Sequence, residues 1–269
     1  TPVVDVYRQV PAVVEKRGKD RYWIDFGQEI TGAFTMRAQG RPGEEIFILH
    51  GEELWEETDA VRAKLRCDCD YRDRWTLSGD VDVLEPFDYK GFRYVEVHGR
   101  EEAVDPESFA ALVRHYPYPE EASHFASSDE KLERIWQLCA NTVRYATQEH
   151  FVDCPTREKG QYLGDNTVTG YSHLYLTGDV AMYRKSLTDF ALSTEICPGM
   201  MAVAPGHLMQ EIADYSLQYP QQLLDYYYQT GELEFLRVMQ PVAEGILEHF
   251  EPYRREMGCW SGWRISGTW

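Results

Sequence analysis

From Arg21 to His115 apolar and polar residues alternate in short runs. Tyr22-Trp23-Ile24-Asp25-Phe26 meets Gly27, Ala33-Phe34-Thr35-Met36-Arg37 alternates, and Ile46-Phe47-Ile48-Leu49 follows the turn signal Gly40-Arg41-Pro42-Gly43. Arg74-Trp75-Thr76-Leu77 stops at Ser78-Gly79-Asp80, and Phe92-Arg93-Tyr94-Val95-Glu96-Val97 alternates cleanly. Short β-branched and aromatic runs split by Gly, Pro and Asp predict strands of an all-β sandwich, one face buried and one wet. Past residue 125 the period lengthens. Leu132, Ile135, Trp136, Cys139 and Val143 recur at three- and four-residue steps, predicting an amphipathic helix to about His150. Ser127-Ser128-Asp129-Glu130 reads as its capping box, with Ser127 as the cap.

Further helices are predicted over Asn166–Leu176, Val180–Ser193, Gln210–Gln229 and Leu233 to about Arg255. Pro220 predicts a break in the fourth, Pro241 may open a new segment in the fifth, and Gly178 and Gly231 fit helix ends. Pro117 and Pro119 mark a linker. The pattern therefore divides the chain into an all-β domain over residues 1–120 and a helical domain over 121–269. The chain opens at Thr1-Pro2 and closes on a segment crowded with Trp260, Trp263 and Trp269, from which a longer natural protein is expected.

Charge narrows the partners. The 45 acidic and 27 basic residues give a net charge of −18, which argues against nucleic acid and anionic membranes. No apolar run reaches the roughly 18 to 20 residues of a membrane span. Seven Trp, 18 Tyr and 11 Phe supply flat apolar faces with polar handles, which suit sugars as well as cores. Six cysteines with no CxxC pair make neither a disulfide scaffold nor a zinc site, so no metal is expected and a reduced, cytoplasmic setting is preferred.

Candidate chemistry concentrates in Asp153-Cys154-Pro155-Thr156-Arg157-Glu158-Lys159-Gly160-Gln161-Tyr162-Leu163-Gly164-Asp165. Pro155, Gly160 and Gly164 keep it from being one regular helix, so it is a long connection. Its carboxylates and Arg157 fit two readings. One carboxylate is held ionised beside the arginine while another, drier, keeps a proton, as acid–base work on a glycosidic bond requires. Alternatively the segment is a polar connector whose charges are solvated or cap the next helix.

This stretch resembles the Asp-Cys-Pro-x-Arg-Glu … Gly-Asp signature of the family 78 glycoside hydrolases, the α-L-rhamnosidases. Asp25-Phe26-Gly27-Gln28-Glu29-Ile30-Thr31-Gly32, His50-Gly51-Glu52-Glu53-Leu54, Glu85 to Val97, Ile212 to Tyr215 and Tyr227 to Glu232 resemble further blocks of that family in the same order. The resemblance implies a β-sandwich domain followed by an α-helical (α/α)6-barrel domain, with the barrel truncated in this chain. It implies a bacterial-type inverting hydrolase that removes terminal α-L-rhamnose from glycosides or polysaccharides without a cofactor. Glu158 would be the general acid. Asp153 and Asp165 would hold sugar hydroxyls, Arg157 would stand beside the site, and Tyr162 occupies the place of a sugar-packing Trp. Lys159-Gly160-Gln161 departs from the family's Arg-Leu-Gly. The family's general base is a Glu that would lie beyond residue 269, so this length of chain is expected to be inactive and, with apolar helix faces open, to self-associate as a possible homo-oligomer. The alternative is a carbohydrate-binding or structural module derived from that family and without catalysis.

Overall fold

A computed structural model of the protein describes residues 4–254. Arg255 at the expected end of the fifth helix, Cys259, Trp260, Trp263 and Trp269 lie outside the described residues. The chain divides into two compact units: a sheet unit running to Pro117 that also takes in Cys154–Glu158, and a helical unit of Tyr118–Asp153 and the residues from Lys159 onward.

The sheet unit has strands β1 (Asp5–Gln9), β2 (Val13–Lys16), β3 (Arg21–Gln39), β4 (Glu45–Gly51), β5 (Arg72–Thr76), β6 (Val81–Val83), β7 (Lys90–His98) and β8 (Val104–His115). They form one hydrogen-bonded set in the order β1-β8-β3-β7-β4-β5, with β2 and β6 also pairing β3. All these pairs are antiparallel, for example Ile24 opposite Val95, Phe34 opposite Ala111 and Ile48 opposite Val97. The two runs expected around Gly27 are one strand, because Gly27 makes a bulge and not a turn. The register of β3 on β7 shifts between Asp25 and Ile30. Gly27 adopts φ +83°, open to glycine at little cost. Its amide donates to Asp25 Oδ1 at 2.7 Å, and Arg93 grips both oxygens of that carboxylate at 2.8 and 2.9 Å. Arg93 therefore holds the Asp25 carboxyl below the usual carboxylate range.

Gly32 explains itself by space: a Cβ there would come within 2.3 Å of the Leu112 carbonyl oxygen. The expected alternation of buried and wet positions is seen in β4, whose Ile46 and Ile48 are buried between exposed Glu45 and Phe47. It fails in β3, where Tyr22 through Phe26 are all buried. Both faces of the sheet are covered there. Ile24, Phe34, Phe92, Val95, Val97 and Phe109 make the core, each burial stabilising by about 1.5–3 kcal/mol.

The helical unit holds α1 (Glu130–Ala146), α2 (Leu163–Thr177), α3 (Ala181–Ser193), a hairpin of β9 (Ala202–Ala204) and β10 (Leu208–Glu211), α4 (Ala213–Ser216), α5 (Tyr219–Thr230) and α6 (Leu233–Phe250). Four expectations are corrected. The cap of α1 is Asp129, whose carboxylate accepts from the Lys131 amide at 2.9 Å; Ser127 Oγ instead accepts from the Asp129 amide at 3.1 Å. An anionic cap suits the positive helix start better than a hydroxyl. The helix ends at Ala146 rather than His150, where Thr147 leaves to bridge Phe151. The single fourth helix is a strand, a four-residue helix and α5, with Pro220 in the first turn of α5, where its missing N–H costs nothing. Pro241 starts no new segment: α6 runs through it on an exposed face, where water can serve the carbonyl it leaves unbonded. Gly178 and Gly231 close α2 and α5 at φ +69°, as expected.

Between α2 and α3, Asp179 accepts from the Ala181 amide at 3.0 Å and from the Met182 amide at 3.4 Å, and its other neighbour is the buried His173 ring at 3.2 Å. Burial alone would raise this carboxyl, but His173 and the two amides outweigh it and bring it down to about 2. The folded value lies below the unfolded one of about 4, so Asp179 stabilises fully above pH 4, and that contribution disappears as pH falls toward 2. Thermal melts should show about 2 kcal/mol lost over that window, and Asp179→Asn should remove this part of the acid limb. An unchanged acid limb in the variant would contradict it.

Candidate functional site

The loop after α1 is closed at its base. The Asp153 amide donates to the Gly160 carbonyl at 3.0 Å, and the Gly160 amide donates back to Asp153 Oδ1 at 2.9 Å. Between them Lys159 takes φ +56°, and its carbonyl lies 3.1 Å from His150 Nε2. Burial lowers the His150 pKa and keeps that ring neutral. A six-residue excursion is thus tied at both ends by residues of the helical unit.

Of these residues, Cys154–Glu158 belong to the sheet unit. Tyr71, 5% exposed, donates its hydroxyl to the Thr156 carbonyl at 2.7 Å. Gly91 lies so close that a Cβ would stand 2.9 Å from Thr156 Cγ2 and 3.2 Å from Pro155 Cγ. This gives Gly91, inside the Tyr89-Lys90-Gly91-Phe92-Arg93-Tyr94 block, a physical role as a seat for the loop. Cys154 is a free, half-buried thiol whose sulfur accepts from the Glu158 amide at 3.4 Å. Arg157 Nε donates to Glu158 Oε1 at 2.8 Å, a charge-assisted pair. The Glu158 side chain is 28% exposed, neither sealed nor turned fully to solvent.

In the helical unit, Tyr162 stands immediately before α2, its carbonyl accepting from the Asn166 amide at 2.9 Å, and half-buried Asp165 lies in the first turn. The Tyr162 ring meets His207 edge-on, centroids 6.4 Å apart. Gly160 lies against both rings, and Gly164 against Tyr215. From sequence, His207 after Pro205-Gly206 reads as polar surface in preference to a pocket-lining residue, and Tyr215 only as part of a family block. His207 sits in the connection of the β9–β10 hairpin, which places the imidazole beside Tyr162. The start of α2 is held by a buried polar network. Asn166 Nδ2 donates to Gln222 Oε1 at 2.6 Å, and Gln222 Nε2 donates to the Leu163 carbonyl at 3.0 Å and to Thr167 Oγ1 at 2.7 Å. Ser186 joins through Asn166 and through Gln161 at 3.1 Å.

So the structure places Arg157 and Glu158 in the sheet unit, and Asp153, Tyr162 and Asp165 in the helical unit. Asp214 is exposed, and Tyr226, Tyr227 and Tyr228 pass from buried to exposed. Among the described residues no group of three or more His, Cys, Asp or Glu is placed to hold a metal, and no helix is long and apolar enough to cross a membrane.

Residues 15–115 match the bacterial alpha-L-rhamnosidase concanavalin-like domain, and residues 120–267, more than half the chain, match the bacterial alpha-L-rhamnosidase 6 hairpin glycosidase domain. The chain belongs to the bacterial α-L-rhamnosidase family, family 78 of the glycoside hydrolases. An α-L-rhamnosidase of Formosa agariphila is 25% identical over 198 residues, 68% of this chain and 20% of that protein. One from Streptomyces avermitilis is 25% identical over 194 residues, 69% of this chain and 18% of that protein. The chain thus spans about a fifth of these rhamnosidases. Among solved structures, the α-L-rhamnosidase of Dictyoglumus thermophilum superposes with a TM-score of 0.81 at 22% identity, covering 94% of this chain and 29% of that one. A Klebsiella oxytoca rhamnosidase with rhamnose bound gives 0.76 at 19%, covering 97% and 59%. At these identities the superpositions establish the rhamnosidase fold alone.

Proposed function

We propose that the natural protein is an inverting glycoside hydrolase that releases terminal α-L-rhamnose from glycosides or polysaccharides. Its sheet unit is the sandwich domain and its helical unit, from about residue 120, the first part of an (α/α)6 barrel. Glu158 is the general acid and gives its proton to the bridging oxygen. A second carboxylate draws the proton from a water on the opposite face of the sugar, with about 6.5–9.5 Å between the two to admit that water. Asp153 and Asp165 accept from rhamnose hydroxyls, Arg157 sets the charge beside Glu158, and Tyr162 offers its ring to the apolar sugar face.

One observation carries this reading. Glu158 stands on a bend that is tied at Asp153–Gly160 and seated on Tyr71 and Gly91, so its carboxylate is pre-positioned as a proton donor must be. The bond from Arg157 Nε to Glu158 Oε1 occupies this carboxylate, so the pair must open before Glu158 can reach the bridging oxygen. Proton NMR of the natural-length protein acting on an aryl α-L-rhamnoside should show β-L-rhamnose as the first anomer released. α-L-rhamnose first would overturn inversion, and no release at all would overturn the hydrolase.

A further inference from the structure

A cleft of about 310 Å³ opens within the sheet unit, lined by Glu52, Glu53, Arg62, Arg66, Thr156 and Arg157 together with Leu65. Two of its three arginines are paired. Arg62 is taken by Glu53 and stacks over Trp55 at 5.1 Å. Arg157 is taken by Glu158. Arg66 is exposed and has no carboxylate partner among the described residues. Glu52 is half-buried. Burial first, and then the neighbouring Glu29 carboxylate, push its carboxyl up to about 7, so below neutral pH it carries little charge. Arg66 is therefore the arginine of this cleft that is left without a carboxylate partner among the described residues.

The cleft includes Arg157, next to Glu158 in sequence and bonded to it. A general acid protonates the leaving oxygen, so the sugar or alcohol that departs lies on the side of the acid. If Glu158 is that acid, on which this inference rests, the cleft receives the leaving group. Guanidinium groups match a planar carboxylate with two parallel hydrogen bonds.

We propose that this cleft is the leaving-group subsite and takes a glycan unit bearing a carboxylate, a uronic acid, held by Arg66 and Arg157. The substrate carboxylate then draws Arg157 away from Glu158. The proton donor is freed by the arrival of the group it is to protonate.

Methyl β-D-glucuronide and its methyl ester, identical except for the charge, probe the cleft by NMR chemical-shift titration of the natural-length protein, with no turnover needed. The acid should bind about tenfold tighter than the ester. In Arg66→Gln the two affinities should fall within about twofold of each other, and Arg66→Lys, a charge without the fork, should lie between. Equal affinities in the wild type, no binding of the glucuronide, or a preference that survives Arg66→Gln would each overturn the subsite. Turnover of an α-L-rhamnoside is scored separately. Hydrolysis without a glucuronide preference removes the subsite alone, and glucuronide preference without hydrolysis removes the rhamnosidase reading and with it the leaving-group role, leaving a uronate-binding cleft.

Discussion

Glu158→Gln is expected to lower kcat of the natural-length protein on a glycosyl α-L-rhamnoside by about 10²–10⁴-fold, with KM changed little. The substitution keeps the shape and the hydrogen-bonding reach of the side chain and removes only the transferable proton. The loop should survive it, because its base is closed by Asp153 and Gly160 and its crown is seated on Tyr71 and Gly91, none of which touches the Glu158 carboxylate in the bonds described. A wild-type melting temperature in the variant therefore separates lost chemistry from lost folding. If kcat falls less than tenfold, the proton comes from elsewhere.

The second large effect is structural. Gln222→Leu should cost about 3 kcal/mol and lower Tm by roughly 10 °C. Gln222 is fully buried, and its amide serves Asn166, Thr167 and the Leu163 carbonyl at once. A leucine fills the space but leaves those partners dry and unbonded, and the penalty for stranded polar groups exceeds the gain from the added apolar surface. The damage falls on the first turn of α2, which carries Asp165 and follows Tyr162, so KM for rhamnosides should rise as well. Thermal melts and steady-state kinetics check both. A variant as stable as the wild type would mean that the network is held open by water and contributes little.

Where a pattern is local, the chain announces it. The alternation of Phe92–Val97 and the three-and-four spacing from Leu132 to Val143 led to β7 and α1, although of the helical stripe only Val143 is buried while Leu132, Ile135 and Cys139 stay exposed. Strands β1 and β2 gave no such signal: β2 is exposed at all four positions and owes its conformation to pairing with β3. The β9–β10 hairpin was hidden because Leu208–Glu211 runs into a helical pattern and only pairing with Ala202–Ala204 makes it a strand.

The candidate site divides in the same way. Asp153, Arg157, Glu158, Tyr162 and Asp165 were legible as a signature. That Cys154–Glu158 belongs with the sheet was not, since Tyr71 and Gly91 reach it from 85 and 65 positions upstream and nothing in the loop encodes them. That Arg157 bonds its neighbour Glu158, and not another carboxylate of the segment, is likewise a contact that only coordinates reveal.

The most direct test of Glu158 as proton donor compares two leaving groups on the Glu158→Gln variant. A 2,4-dinitrophenyl α-L-rhamnoside departs without protonation, whereas an alkyl rhamnoside needs it. The account predicts near-wild-type cleavage of the first and loss of about 10²-fold or more on the second. Equal losses on both, or none on either, would show that Glu158 does not protonate the bridging oxygen.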